Sequence, residues 1–375
     1  MKNILLVGER YSTNLGDGVI YQTVERMIRA DIPDAVIHGL DLSGRVTYSD
    51  DTDWLLSFSD ALIAKYISSD IARARLVKKQ LRLLLKRHQI DVIVFVGGQL
   101  FIDYFIRAID VVVREADRMD IPVIFNACGF GESSASHSAK IISILSRSVV
   151  KHISTRDAVG EILPKKLHNG VVPTRVMDPV VELGKYWRVT RRQGGNGVVR
   201  VGINIMSPWT THRSNPEVGN AYMKTLLLDI IAYCESNGFR WEIYSNGAGE
   251  DIGYIMGACR ELGIDAAAIA LSPQIPEQLV TQIASYDIIV GFRMHTHIIA
   301  HALDIPTIGF LWDEKLLRYA EQVGLCPQFL PLDANGHAVC GALEKTMKRK
   351  PQVRIRRQVQ FSSDFLIASL GRVLK

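Results

Sequence analysis

No uncharged apolar stretch in this chain is long enough to cross a bilayer, so the sequence predicts no membrane-spanning helix. A charged start, a long apolar core and a cleavage site are also missing near Met1, where the sequence runs directly into a short apolar segment at 3–8. The expectation is a cytoplasmic protein. Cysteine is sparse: the five residues at 128, 234, 259, 326 and 340 are scattered, odd in number and form no CxxC pair, which points to reduced, mostly buried thiols of a cytosolic protein. Charge of one sign is not in large excess. The net charge is +5 and the basic residues are mostly dispersed, so no dedicated nucleic-acid surface is expected. Low-complexity tracts and internal sequence repeats are absent too. What is present is a chain of 375 residues, 47% hydrophobic and 22% charged, enough for two domains with full cores.

Short β-branched runs alternate with amphipathic segments. In the first half the strands are expected at 4–7, 36–40, 92–96, 122–126, 151–155 and 171–176, and the helices at 18–30, 72–88, 104–119, 136–146 and 157–163. The polar, glycine-rich stretch VTRRQGGNG at 189–197 interrupts this pattern and reads as a linker. The alternation then resumes, with strands at 199–204, 240–244, 267–270, 288–291 and 307–310 and helices at 221–236, 250–262, 277–284, 297–303 and 314–323. This order predicts an α/β protein of two tandem Rossmann-like, doubly wound parallel-sheet domains, at 1–188 and 198–350, facing a central cleft. A C-terminal helix within 351–375 is expected to pack back on the first domain.

Ligands of open α/β sheets bind beyond the C-terminal ends of the strands, so the loops there are the candidates for chemistry. Residues 285–310 (SYDIIVGFRMHTHIIAHALDIPTIGF) place Arg293 and His295 where a buried strand meets a helix. A cation and an imidazole at a helix N-terminus suit an anion. Asn14, Gly16 and Asp17 lie in NLGDG at 14–18, just before the first helix. Asp17 reads either as a helix N-cap or as a carboxylate at the cleft edge. Gly97, Gly98 and Gln99 follow the third strand and Gly129 the fourth; each glycine loop is either a plain turn or a backbone surface for a substrate. Arg156 in STRD at 154–157 either pairs locally or grips a carboxylate or phosphate. Lys315, in the turn WDEK at 312–315, faces the cleft or solvent, with Asp313 as an N-cap. His295, His297 and His301 also invite a zinc site, but no acidic or thiol ligand lies near them in sequence. The expected metal is none. The basic run from Lys345 to Arg357 reads as a solvated face or as a peripheral contact with anionic lipid at the inner face of the cell membrane.

Taken together, NLGDG at 14–18, VGGQLFID at 96–103, ACGFG at 127–131, ISTRD at 153–157, the segment 285–310 and WDEKLLRYAEQVGL at 312–325 resemble the polysaccharide pyruvyl transferase family. The family's fold is similar to the two-domain GT-B architecture. The resemblance implies transfer of a pyruvyl group from phosphoenolpyruvate to two hydroxyls of one sugar, giving a cyclic ketal, in exopolysaccharide, capsule or cell-wall glycan synthesis. It implies donor binding by Asp17, Arg156, Arg293 and His295. It implies no cofactor, and a sugar acceptor that is free, nucleotide-linked or carried on a lipid. Gln99 departs from the family pattern, which often has a third glycine there.

The chemistry matches these residue types. Phosphoenolpyruvate carries about three negative charges, and one charge pair at about 4 Å with an effective dielectric near 20 gives about 4 kcal/mol before desolvation. Several cations and helix N-termini are therefore expected around it. His295 is the expected general acid and Asp17 the expected base, with the two roles exchangeable. The competing readings are a GT-B glycosyltransferase using a nucleotide sugar, a non-catalytic saccharide-binding member, and a zinc hydrolase.

Overall fold

The computed structural model describes residues 1–48, 69–131, 135–156, 163–191, 197–211, 218–270, 273–348 and 359–375. The chain divides into two compact units. The first comprises Met1–Ser12, Asp17–Glu182 and Val359–Lys375, and the second Thr13–Gly16 and Leu183–Gln358. The main passage between them falls at Glu182, ahead of the glycine-rich stretch at 189–197, of which 192–196 lie outside the described residues. Residues 157–162 of one expected helix, and 349–358 of the basic run and the approach to the C-terminal helix, lie outside them as well.

The first unit is built on a seven-stranded sheet: β1 (Asn3–Gly8), β2 (Val36–Asp41), β3 (Val92–Phe95), β4 (Gly98–Phe101), β5 (Val123–Phe130), β6 (Val150–Thr155) and β7 (Thr174–Arg175). The order is β2-β1-β3-β5-β6-β7, with β4 paired to β5, and every pairing is parallel. Runs such as VIVF are apolar on both faces because helices cover both sides of a parallel sheet. The helix Asp103–Arg118 shows how a covering element forms: Phe105, Ile109, Val112, Val113 and Ala116 recur on one face and are buried, while Arg107, Arg114 and Arg118 remain on the other. At the centre Phe95 stacks on Phe125, with ring centroids 4.2 Å apart. The C-terminal helix Ser362–Val373 packs on β5 and β6, and Glu182 accepts from the backbone N–H and hydroxyl of Ser363 at 3.1 and 2.7 Å.

The second unit has a five-stranded sheet of β8 (Arg200–Asn204), β9 (Arg240–Tyr244), β10 (Ile288–Gly291), β11 (Thr307–Leu311) and β12 (Phe329–Pro331), in the order β12-β11-β10-β8-β9 and parallel throughout. In each sheet the winding reverses once. The reversal lies between β1 and β3 in the first unit and between β8 and β10 in the second. These are topological switch points, where the connections leave in opposite directions and open a crevice at the strands' C-terminal ends.

Several local expectations change. The first helix spans Leu15–Asp31, so Asp17 sits in its first turn and is not the N-cap. The strand expected at 122–126 continues as β5 to Phe130, and Gly129 is therefore a buried strand residue and not a loop residue. Gly97 and Gly98 have φ of +108° and +88°; this left-handed backbone, which only glycine adopts at low cost, turns the chain into β4 alongside the lengthened β5. The segment expected as a strand at 267–270 is a 3-10 turn, Ala266–Ala268, because Asp265 caps it by accepting from Ala267 N–H at 2.9 Å. Among the described residues, no helix is long and apolar enough to cross a membrane.

The stacked aromatic pair sets a test. Phe125→Ala leaves a cavity under a ring with no solvent exposure and is expected to cost about 3–5 kcal/mol, read as a lowered urea midpoint for the first unit.

Candidate active site

The switch point of the second unit carries Arg293 and His295. Asn204, which ends β8, accepts from the Arg293 backbone N–H at 3.3 Å and donates to the Asn246 side-chain oxygen at 3.1 Å. The same Asn246 oxygen accepts from Thr296 Oγ1 at 2.7 Å, and its carbonyl accepts from Leu15 N–H at 2.9 Å. Asn204, Asn246 and Thr296 have no solvent exposure, so this amide–hydroxyl network lies in the interior, where unpaired polar groups are costly. It ties the ends of β8, β9 and β10 to the Thr13–Gly16 segment.

Arg293 occupies the N-cap position of the helix Met294–Ala302 but makes no side-chain cap. Its guanidinium is turned to the helix Gly249–Leu262. Nε donates to Asp251 Oδ2 at 2.8 Å, and Nη2 donates to Asp251 Oδ1 at 2.9 Å and to Glu250 Oε1 at 3.1 Å. Burial opposes the arginine's charge, but Asp251 and Glu250 outweigh it and raise the pKa. Arg293 is thus a permanently charged group whose charge is already shared with two carboxylates, not the open cation that the sequence suggests.

Two residues on, His295 is 7% exposed. Gly16 lies flush against it: a Cβ at Gly16 would stand 2.5 Å from His295 Nδ1 and 2.7 Å from Cγ. The NLGDG and RMH motifs, some 280 residues apart in sequence, therefore meet at Gly16 and His295, and only a residue without a side chain permits the approach. Asn14 belongs to the same segment and is half-buried. Lys315 folds back on its own turn, with Nζ 3.1 Å from Asp313 and 4.7 Å from the Trp312 ring centroid; Asp313 caps the helix Glu314–Val323 by accepting from Lys315 N–H.

In the first unit the switch point gathers the loops after β1 and β3. Asp17 accepts from Ser12 Oγ at 3.3 Å, and a Cβ at Gly98 would lie 3.8 Å from Asp17 Oδ1, so the NLGDG carboxylate and the Gly97-Gly98 turn are neighbours. Gln99 reaches the end of β5, donating to the Phe130 carbonyl at 3.3 Å. Glu9, which the sequence reading passed over, follows β1 directly. Burial pushes its carboxyl up to about 8, with Asp41 and Asp17 adding to the rise and a hydrogen bond from Ser43 at 2.6 Å opposing it. Asp41, also raised by burial, accepts from the backbone of Tyr11 and Ser43 at 2.8 Å each. Arg156 is buried and donates to Asp178, itself buried, at 2.6 Å, so its charge is compensated within the unit. A charged residue immediately after an apolar strand marks Glu9, and a polar residue ending one marks Asn204. No local signal marks Asp178, Asn246 or Asp251, whose partners are 22 to 50 residues away.

The other two histidines belong to the core. Gly291 O can only accept, so His297 Nε2–H donates to it at 3.1 Å. The neutral ring then accepts at Nδ1 from Thr307 Oγ1 at 2.9 Å. Thr307 in turn accepts from His301 Nε2–H at 3.0 Å, and His301 Nδ1 accepts from the Tyr319 hydroxyl at 2.8 Å. Burial pushes His297 down to about 4; burial and the neighbouring His297 push His301 down to about 3. All four ring nitrogens are engaged with protein groups, so the His-x-His-x-x-x-His spacing reflects a packed relay.

Two parallel, helix-covered sheets with such loops at their switch points define a GT-B-like protein. The fold is similar to a putative UDP-N-acetylglucosamine 2-epimerase from Listeria monocytogenes (TM-score 0.62, 8% identity, covering 100% of this chain and 97% of that one). It is also similar to the UDP-GlcNAc 2-epimerase from Methanocaldococcus jannaschii (TM-score 0.60, 12% identity, 100% and 99% covered) and to a glycosyltransferase from Rickettsia africae (TM-score 0.52, 12% identity, 100% and 93% covered). At these identities the likeness concerns the fold alone. No curated protein matches the chain by sequence. The family model described as Polysaccharide pyruvyl transferase matches residues 14–314, and the chain belongs to that family, a class of transferases.

The relay makes stability depend on pH. Both histidines have pKa values below their ordinary 6.5 in the fold, so the unfolded chain takes up their protons first as pH falls. Their contribution is complete above about 6.5 and is lost on acidification through the interval down to about 4 for His297 and 3 for His301. The slope is up to about 1.4 kcal/mol per pH unit for each. Urea titrations at several pH values should show the slope reduced by about one such increment in His301→Gln; an unchanged slope would contradict the assignment.

Proposed function

We propose that this chain moves the pyruvyl group of phosphoenolpyruvate onto two hydroxyls of one sugar, forming a cyclic ketal and releasing phosphate. The observation that carries this reading is the seating of Gly16 on the His295 imidazole, which joins the Arg-x-His element, the most family-specific of the motifs, to the NLGDG loop, with Asp17 as the next residue along the chain. The family itself supports a pyruvyl transfer to a saccharide.

In this reading a proton is delivered to the methylene carbon of phosphoenolpyruvate. The central carbon becomes cation-like and a sugar hydroxyl attacks it, losing its proton. Phosphate leaves with its bridging oxygen, and the second hydroxyl closes the ring with loss of its own proton. His295, next to the first N–H groups of the helix Met294–Ala302, serves as the acid for the carbon or for the departing phosphate. Asp17 accepts a proton from the sugar, and the two roles can be exchanged. Arg293 holds the donor through the guanidinium edge that Asp251 leaves over, and the helix N-terminus stabilises charge on the leaving phosphate. Arg156, sharing its charge with Asp178, supports the donor from the loop after β6. In this reading Gly97, Gly98 and Gln99 contact the acceptor. A lipid-carried acceptor at the inner face of the cell membrane suits the basic run that starts at Lys345, and exopolysaccharide, capsule or cell-wall glycan synthesis suits the family.

Phosphate release from phosphoenolpyruvate should require a sugar acceptor, and in heavy water deuterium should enter the product methyl group. His295→Ala is expected to lower turnover about 10²–10⁴-fold while changing donor affinity much less; full activity in that variant would sink the assigned role. If UDP raises the melting temperature and phosphoenolpyruvate does not, the nucleotide-sugar glycosyltransferase reading takes its place.

Gly16→Ala tests the seating itself. Its methyl group would overlap the His295 ring, so turnover should drop sharply while stability falls by only about 1–3 kcal/mol, read as the urea midpoint; unchanged turnover would contradict the seating.

A further inference from the structure

The guanidinium of Arg293 is held by two consecutive acids that differ sharply in environment. Asp251 has no solvent exposure, binds Nε and Nη2 side by side, and also accepts from Ser207 N–H at 2.8 Å. That pair satisfies the buried charge. Glu250 adds a further contact, to Nη2 at 3.1 Å, from a side chain that is 54% exposed. An exposed carboxylate on a long side chain contributes little to stability through such a contact. Its position is nonetheless specific: a carboxylate on the RMH arginine, close in sequence to the N–H groups that open the helix Met294–Ala302.

We infer that Glu250 is an internal competitor for the anion-binding edge of Arg293, occupying in the free protein the place that a substrate carboxylate or phosphate takes, and so setting donor affinity. Arg293 with Asp251 is neutral as a pair, and Glu250 adds a further carboxylate at the arginine's edge, which opposes an anionic donor until the glutamate swings out. Asp251, locked by burial, stays in place and positions the arginine for either partner. This inference rests on the reading of Arg293 as a donor-binding residue.

Calorimetric titration of the full chain at low ionic strength separates the possibilities. The probes are phosphoenolpyruvate and inorganic phosphate, and the proteins are the wild type, Glu250→Gln, Glu250→Lys, Arg293→Ala and, as a control for overall charge, Glu261→Gln, which alters an exposed acid at the other end of the same helix. Phosphoenolpyruvate should bind Glu250→Gln about three- to tenfold more tightly than wild type and Glu250→Lys more tightly still. Glu261→Gln should be unchanged, and the gain should shrink as salt is added. Binding of phosphoenolpyruvate that is equal or weaker in Glu250→Gln overturns the inference and leaves the pyruvyl-transfer reading intact. If no protein binds phosphoenolpyruvate but phosphate binds Glu250→Gln more tightly than wild type and is lost in Arg293→Ala, the competitor role stands and the donor assignment falls. No Arg293-dependent anion binding in any protein overturns both.

Discussion

A carboxylate with no access to water must find a partner, and Asp251 is such a group. Removing one member of a buried, hydrogen-bonded ion pair typically costs about 3–5 kcal/mol, so the side-by-side contact with Arg293 is the constraint around which the second unit's loops are arranged. Because Asp251 also accepts from Ser207 N–H, one carboxylate binds the segment after β8, the start of the helix Gly249–Leu262 and the turn after β10. With the arginine side chain anchored, its backbone N–H is presented to Asn204, and the next helix begins where His295 can be reached by Gly16.

The two sheets solve the same problem in parallel. Each reverses its winding once, and each gathers polar and glycine residues at the strand ends at or next to that reversal. In the first unit these are Glu9, Asp17, Asp41 and the Gly97-Gly98 turn; in the second they are Asn204, Asn246, Arg293 and His295. Buried amides and hydroxyls, not ion pairs alone, hold the second set in register. The Asn246 side-chain oxygen is the shared acceptor of this set, taking hydrogen bonds from both Asn204 and Thr296, while Asn246 Nδ2 has no partner among the described residues. The His297–Thr307–His301–Tyr319 relay backs that arrangement from inside the core: His297 grips the Gly291 carbonyl, where β10 ends, two residues ahead of Arg293.

Some of this was legible in the chain. Apolar runs such as IIVG and VIVF read as buried parallel strands because both faces of such strands are covered, and the motifs after them marked Asp17, Arg293 and His295. Less was legible where backbone geometry outran pattern. Left-handed glycines at 97 and 98 create β4 and extend β5, which moves Gly129 out of a loop. The first helix begins at Leu15, three residues ahead of its apolar spacing.

The sequence by itself determined the α/β alternation, the placement of an imidazole and a cation at a strand-to-helix turn, and membership of a family whose motifs span most of the chain, since periodicity and short motifs are local properties. Only the tertiary structure decided which carboxylates share the arginines' charges. Arg156 and Arg293 look alike as isolated letters, yet Asp178 and Asp251, distant in sequence, neutralise them through buried contacts. An ion pair between residues brought together by the fold leaves no trace in the spacing of either partner, because it is burial that sets the cost of an uncompensated charge.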